Sequence, residues 1–183
     1  MTKTGPMENN ARPQSERDRL IRVQQTAVMD RMRADLSAAQ STLIATGSVT
    51  EGLACHVEQG KFKATIDMGL GMGGDASGPP PGFFARAAVV GCVAIAIKMM
   101  AAREGLSFEK VDVEVAMDFD DAALFGLTDR SAAPLATRVG ITVKSDEPEE
   151  VVADVVDRAL AADPWYLALR DAQLVEPQLK INA

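Results

Sequence analysis

Four absences narrow the reading of this sequence: a basic excess, an apolar leader, a membrane-length apolar run and closely spaced cysteines. The formal net charge is −7, whereas a nucleic-acid partner needs a basic face for its phosphates, so none is expected. The opening residues, Met1-Thr-Lys-Thr-Gly-Pro-Met-Glu-Asn-Asn, hold no apolar core and do not read as a secretory signal. The apolar run from Ala87 to Ile97 falls well short of the roughly 20 residues a bilayer requires, so no membrane span is expected. Cys55 and Cys92 stand far apart, which points to a reducing, cytoplasmic setting.

What is present is enough apolar material for a real core. With 183 residues, 47% of them hydrophobic, one domain with an extension is expected. The stretch Gly78-Pro-Pro-Pro-Gly-Phe-Phe-Ala-Arg-Ala-Ala-Val-Val-Gly-Cys-Val-Ala-Ile-Ala-Ile-Lys-Met-Met-Ala-Ala-Arg-Glu-Gly105 reads as one buried helix. Proline is tolerated only in a helix's first turn, and Gly105 supplies a left-handed stop. On a helical wheel Ala85, Ala88, Ala96 and Met99 fall within about 40° of Cys92, while Arg86 and Lys98 lie about 120° away. The thiol thus faces small apolar side chains, and the two charges can leave toward a surface or a partner.

The rest of the chain is expected to cover this helix. Residues 1–16 are polar and read as a mobile tail. Residues 17–40 carry a helical pattern through Leu20, Val23, Ala27, Val28, Met32 and Leu36, with Arg17, Arg19, Arg22, Arg31 and Arg33 on polar positions. Such a basic arm suits docking on its own or a neighbouring subunit, or is a solvated helix face. Three strand-like runs come next: Ser41 to Val49; Leu53, Cys55 and Val57 facing the core with His56 opposite; and Lys61 to Met68. In the last, Phe62, Ala64, Ile66 and Met68 face inward, and Lys61, Lys63, Thr65 and Asp67 face water. Gly69-Leu-Gly-Met-Gly-Gly74 spells G-x-G-x-x-G, but Asp75 and three prolines separate it from the helix, so a dinucleotide site is rejected in favour of a flexible rim.

After Gly105 the alternation is nearly perfect, with Val111, Val113, Val115, Met117 and Phe119 inward. Asp118 and Asp120 then lie on the solvated face, which argues against metal binding by the Asp118, Asp120, Asp121 cluster. Asp121 to Pro134 reads as a loop and Thr137 to Ser145 as a strand with Val139, Ile141 and Val143 inward. Asp146-Glu-Pro-Glu149 resembles an N-cap opening a helix packed through Val151, Val152, Val155, Val156, Ala159 and Leu160. Asp163-Pro164 caps a short helix, and Leu174 to Ile181 reads as an edge strand broken by Pro177. The order is that of an α+β fold with antiparallel pairing. Its central helix is too apolar for one sheet to cover, so a homodimer is expected.

The run Gly78-Pro-Pro-Pro-Gly-Phe-Phe-Ala-Arg-Ala-Ala-Val-Val-Gly-Cys92 resembles the Gly-Pro-Ser-Pro opening, apolar helix and Ala/Gly-Cys ending of the OsmC/Ohr family (osmotically inducible protein C and organic hydroperoxide resistance proteins). Ala45-Thr-Gly and Gly105-Leu-Ser-Phe-Glu-Lys-Val-Asp-Val-Glu-Val support the resemblance, which spans residues 41–183. It implies an OsmC-like fold, antiparallel sheets wrapped around a central apolar helix in an intertwined homodimer, with active sites at the subunit interface. It also implies thiol-dependent reduction of small organic hydroperoxides in oxidative stress defence, with no cofactor beyond an external thiol or dithiol reductant.

Carried over residue by residue, Cys92 matches the catalytic, peroxide-attacking position. The family's resolving cysteine falls near Asp163, its glutamate on Phe83 or Gly82, and its arginine on Val49 or Thr50. An unperturbed thiol is only about 3% thiolate at pH 7, and burial among alanines and valines raises its pKa further. A cation would have to come from Arg86, Arg103 or an arm arginine of the other subunit. Cys55 could resolve a sulfenic acid, although its strand parity points it to the core. Three functions are compatible with these residues: a one-cysteine hydroperoxide reductase, a non-catalytic relative that binds a small hydrophobic ligand at the dimer interface, or an interaction protein recruited through its basic arm. A buried structural cysteine is the plain alternative for each thiol.

Overall fold

A computed structural model of the chain describes residues 13–181. Most of the expected tail, residues 1–12, lies outside the described residues, as do 182–183. The fold is α+β, with helices α1 (Glu16–Ala34), α2 (Pro81–Glu104), α3 (Asp121–Leu124), α4 (Glu149–Ala161) and α5 (Pro164–Arg170). Strands β1 (Thr46–Ser48), β2 (Cys55–Gln59) and β3 (Phe62–Ile66) form one antiparallel sheet, and β4 (Phe108–Asp118) and β5 (Ala136–Ser145) form a second.

Helix α2 begins at a proline and ends at Gly105, whose φ of 84° lets the Leu106 amide reach back to the Ala101 carbonyl at 3.0 Å. Val89, Val93, Ile97 and Met100 make its buried stripe, and they meet Phe108, Val155 and Ala159 in one core. The β4–β5 hairpin contributes the alternation read from sequence: Val111, Val113, Val115, Val139, Ile141 and Val143 are half-buried while Asp112 and Glu114 are exposed. Phe119, past the strand's end, is exposed instead. Its neighbours on the outer face are structural. Asp118 forms a two-bond ion pair with Arg138 at 2.6 and 2.8 Å, and Asp120 caps α3 inside what reads as a loop. Among the described residues no three His, Cys, Asp or Glu side chains cluster as metal ligands.

The basic arm docks on its own chain. Gln14 Nε2 donates to the carbonyls of Ala102 and Leu106 at 2.9 and 3.1 Å, satisfying the open end of α2. Asp18, buried, accepts from Lys98 Nζ at 3.0 Å, and the same ammonium donates to the Phe108 carbonyl. Lys98, half-buried, therefore turns to the buried Asp18 carboxylate, which needs a cation to offset the hydration it has lost. Residues 13–16, placed in the tail by composition, are part of this dock: Ser15 caps α1 and Glu16 is its first residue.

The first sheet is shorter than its pattern suggests. Only Thr46–Ser48 of the 41–49 run pairs, and it is exposed throughout. Phe62 is exposed, and Asp67, expected in water, is buried. The carboxylate of Asp67 accepts from the amides of Met68, Asp75 and Ser77 and from the Ser77 hydroxyl at 2.7–3.1 Å. The segment after β3 is thus a pinned loop rather than a flexible rim. It runs so close to β3 that a Cβ at Gly74 would sit 2.1 Å from the Met68 carbonyl oxygen. Two further expectations give way. Glu147 does not join an Asp146 cap but accepts from the Ser107 amide at 3.0 Å, and Pro148 precedes α4 with no side-chain cap. Leu174 to Ile181 forms no strand and stays exposed.

Two measurements test these anchors. Lys98→Met leaves the Asp18 carboxylate buried without its cation and should cost about 2–4 kcal/mol in denaturant unfolding, with trypsin cutting α1 faster at Arg22 and Arg31. Asp67 is held below the usual carboxylate range by the Ser77 amide and hydroxyl and then by the Met68 and Asp75 amides. A depressed folded pKa stabilises above the unfolded value and is lost as pH falls through the folded one. Asp67→Asn should therefore lower the unfolding midpoint at pH 7, and the gap from wild type should close below about pH 4.

Candidate functional site around Cys92

Cys92 is the twelfth residue of α2, about 100° around the helix from the buried stripe at Val93. It is half-buried. Ile95, within a turn of it and on the side opposite Val93, is 60% exposed. One flank of the thiol is thus closed by its own chain and the other runs toward an open apolar surface.

The closed flank is the start of α5. Asp163 is fully buried and caps that helix, its Oδ1 accepting from the Tyr166 amide at 2.7 Å. That carboxylate and the Trp165 backbone N–H are the polar groups that act on the Cys92 thiol. Oδ2 of Asp163 is buried and has no aligned partner.

Burial pushes the Cys92 thiol above its ordinary pKa, and the Asp163 carboxylate pushes it further by favouring S–H over S⁻. The Trp165 N–H pulls the other way but does not reverse the sum. Among the described residues no arginine acts on the thiol: neither Arg86 nor Arg103 is among the groups that shift it, and Arg103 acts on Glu104. The chemistry on offer is a thiol kept protonated beside a buried carboxylate, not a preformed thiolate.

Cys55 does not join this site. It is free, half-buried in β2, and its sulfur lies over Gly47, 3.1 Å from where a Cβ would stand. Val49 and Thr50 are exposed, and Phe83 packs edge-on against Phe84 at 5.4 Å between ring centres. Asp163, read from sequence as a helix cap and as the position of the OsmC/Ohr resolving cysteine, is the buried carboxylate that acts on Cys92.

The family model described as OsmC-like protein matches residues 74–176, which includes both Cys92 and Asp163. Among solved structures, an OsmC-like protein of Mycoplasma pneumoniae is 15% identical, covers 72% of this chain and 89% of its own, and superposes with a TM-score of 0.61. An organic hydroperoxide resistance protein of Elizabethkingia anophelis with thiocyanate bound is 16% identical over 72% of this chain and 89% of its own, with a TM-score of 0.51. A candidate organic hydroperoxide resistance protein of Vibrio cholerae, solved with captopril in one of its active sites, is 17% identical over 71% and 85%, with a TM-score of 0.50. At these identities the likeness carries the fold alone. No curated protein matches the sequence.

The thiol chemistry has a direct check. Alkylation of Cys92 by iodoacetamide across pH should titrate with an apparent pKa above the ordinary value of about 8.5. Asp163→Asn, which keeps a helix-capping side chain without the charge, should move that midpoint down.

Proposed function

The chain belongs to the OsmC-like family, and from that premise we propose that it is a one-cysteine, thiol-dependent organic hydroperoxide reductase working as a homodimer in the cytoplasm. The observation that carries the reading is a half-buried thiol at the family's cysteine position, with the buried Asp163 carboxylate and the Trp165 backbone N–H as the polar groups that act on it. In the reaction, the Cys92 sulfur attacks the terminal oxygen of ROOH, the O–O bond breaks, and ROH leaves. The thiol becomes a sulfenic acid. With no second cysteine at Asp163, two equivalents of an external thiol return it to the thiol, releasing water and a disulfide.

The dimer is supported by the apolar surface this chain leaves open. Ile95 and Phe83 of α2, Leu43, Ile44 and Leu53 around the first sheet, and Leu174, Val175, Leu179 and Ile181 near the end are all exposed. By length and composition α2 would also pass for a membrane span. Yet α1, β4, α4 and α5 pack around it, which is the setting of a core helix. A second copy, presenting the same helix, is the occupant that suits its open side.

A second reading, a non-catalytic relative that binds a small hydrophobic ligand at the subunit interface, is favoured by the raised thiol pKa and the lack of a nearby guanidinium among the described residues. Stopped-flow consumption of cumene hydroperoxide with excess dithiothreitol separates the two. The reductase should be lost in Cys92→Ser, and its rate should rise roughly tenfold per pH unit from pH 7 while the thiol remains mostly protonated. Equal consumption by wild type and Cys92→Ser would sink the reductase and leave the ligand-binding reading. Mass measurement in solution should give a dimer, and a monomer at micromolar concentration would remove the shared interface.

A further inference from the structure

The position that would hold a second cysteine holds a carboxylate instead, and two features of Asp163 are unexplained by its role as a helix cap. Capping uses only Oδ1; Ser, Thr or Asn would do it equally well and without a buried charge. Oδ2 is buried, lacks an aligned partner, and belongs to the same carboxylate that neighbours the Cys92 thiol. The Cys92 S–H is a weak donor and is not aligned on Oδ2, so a stronger donor that arises during the chemistry is the natural one to look for. We infer that Oδ2 of Asp163 is the acceptor for the hydroxyl of a Cys92 sulfenic acid, and that this carboxylate holds oxidation of the cysteine at that reversible step. The inference rests on the hydroperoxide reductase reading and adds to it what stops the cycle from running on.

The chemistry balances without further reagents. The first turnover gives Cys92–SOH and ROH, and the new S–O–H is a donor of the length and polarity the thiol lacked. A second hydroperoxide would convert Cys92–SOH to Cys92–SO₂H with loss of another ROH. A sulfinic acid is ionised at neutral pH, so that step would set a second anion beside a buried carboxylate, where no cation among the described residues acts on the thiol. Like charges in one desolvated site oppose each other strongly. The sulfenic acid is neutral and meets no such penalty. An enzyme with a resolving cysteine escapes over-oxidation by closing a disulfide; here the electrostatics of Asp163 take that place while the external thiol arrives. Sulfinic acid is the step that ordinary thiols cannot reverse, so the difference matters for survival of the site.

The test is intact-protein mass spectrometry of the full chain after treatment with graded cumene hydroperoxide in the absence of reductant, with dimedone used in parallel to trap sulfenic acid. Wild type should accumulate one added oxygen and a dimedone adduct at Cys92. Asp163→Asn should pass to two and three added oxygens on the order of tenfold faster. Asp163→Ser, which also caps a helix, serves as a second variant, and far-ultraviolet circular dichroism reports whether each is folded. Equal over-oxidation rates in wild type and folded variants would overturn the inference, and so would slower over-oxidation in the variants, since that would mean the carboxyl group stabilises the sulfinate. Absence of any added oxygen at Cys92 in all three proteins would instead overturn the reductase reading on which it rests.

Discussion

A 24-residue helix that is apolar on more than one stripe is the constraint to which the rest of this molecule answers. A sheet or a helix covers one stripe of it, and the chain supplies four such covers: the β4–β5 hairpin, α4, α5 and the docked arm α1. Each is fastened by polar contacts at its margin as well as by apolar packing. Arg158 of α4 holds Glu104 at the end of α2 with two hydrogen bonds, the longer 2.8 Å. Gln14 and the Asp18–Lys98 pair fasten α1. What remains is the side bearing Ile95, and the proposal of a homodimer comes from the hydrophobic cost of leaving it wet.

The same geometry makes the thiol what it is. Cys92 is on the seam between the stripe covered by this chain and the flank left open, so it is shielded enough to resist ionisation and open enough to meet a small molecule. Covering by α5 brings Asp163 with it, because the residue that caps α5 is also the first one against α2. A catalytic site built for speed would set a cation there. This one sets a carboxylate, which keeps the thiol protonated and, in the role inferred for Asp163, limits a second oxidation.

Much of the fold was legible in the residues. The period of two in Val111 to Met117 and Val139 to Val143, the proline opening and Gly105 stop of α2, and the Asp163-Pro164 cap all report faces and ends, which depend on near neighbours in the chain. Where the reading failed, a distant group had overridden the pattern. Asp67 followed the alternation toward water, but the amides of Asp75 and Ser77 fold back and bury it. Glu147 looked like part of a helix start and is instead claimed by Ser107. The segment from Leu174 to Ile181 has strand composition, yet a strand needs a partner edge, and composition does not say whose edge that is.

The sequence by itself determined the α+β class, the central helix, the position of its thiol and the family pattern that marks it, because all of these are set by short-range spacing. Only the tertiary structure decided that the arm lies on its own α2, that Lys98 is consumed by Asp18 and Phe108, and that an aspartate about seventy residues further along the chain stands against the cysteine. The physical reason is that a thiol's reactivity depends on the charges and burial around its sulfur. Those come from whichever segments pack there, and packing joins residues that the chain keeps far apart.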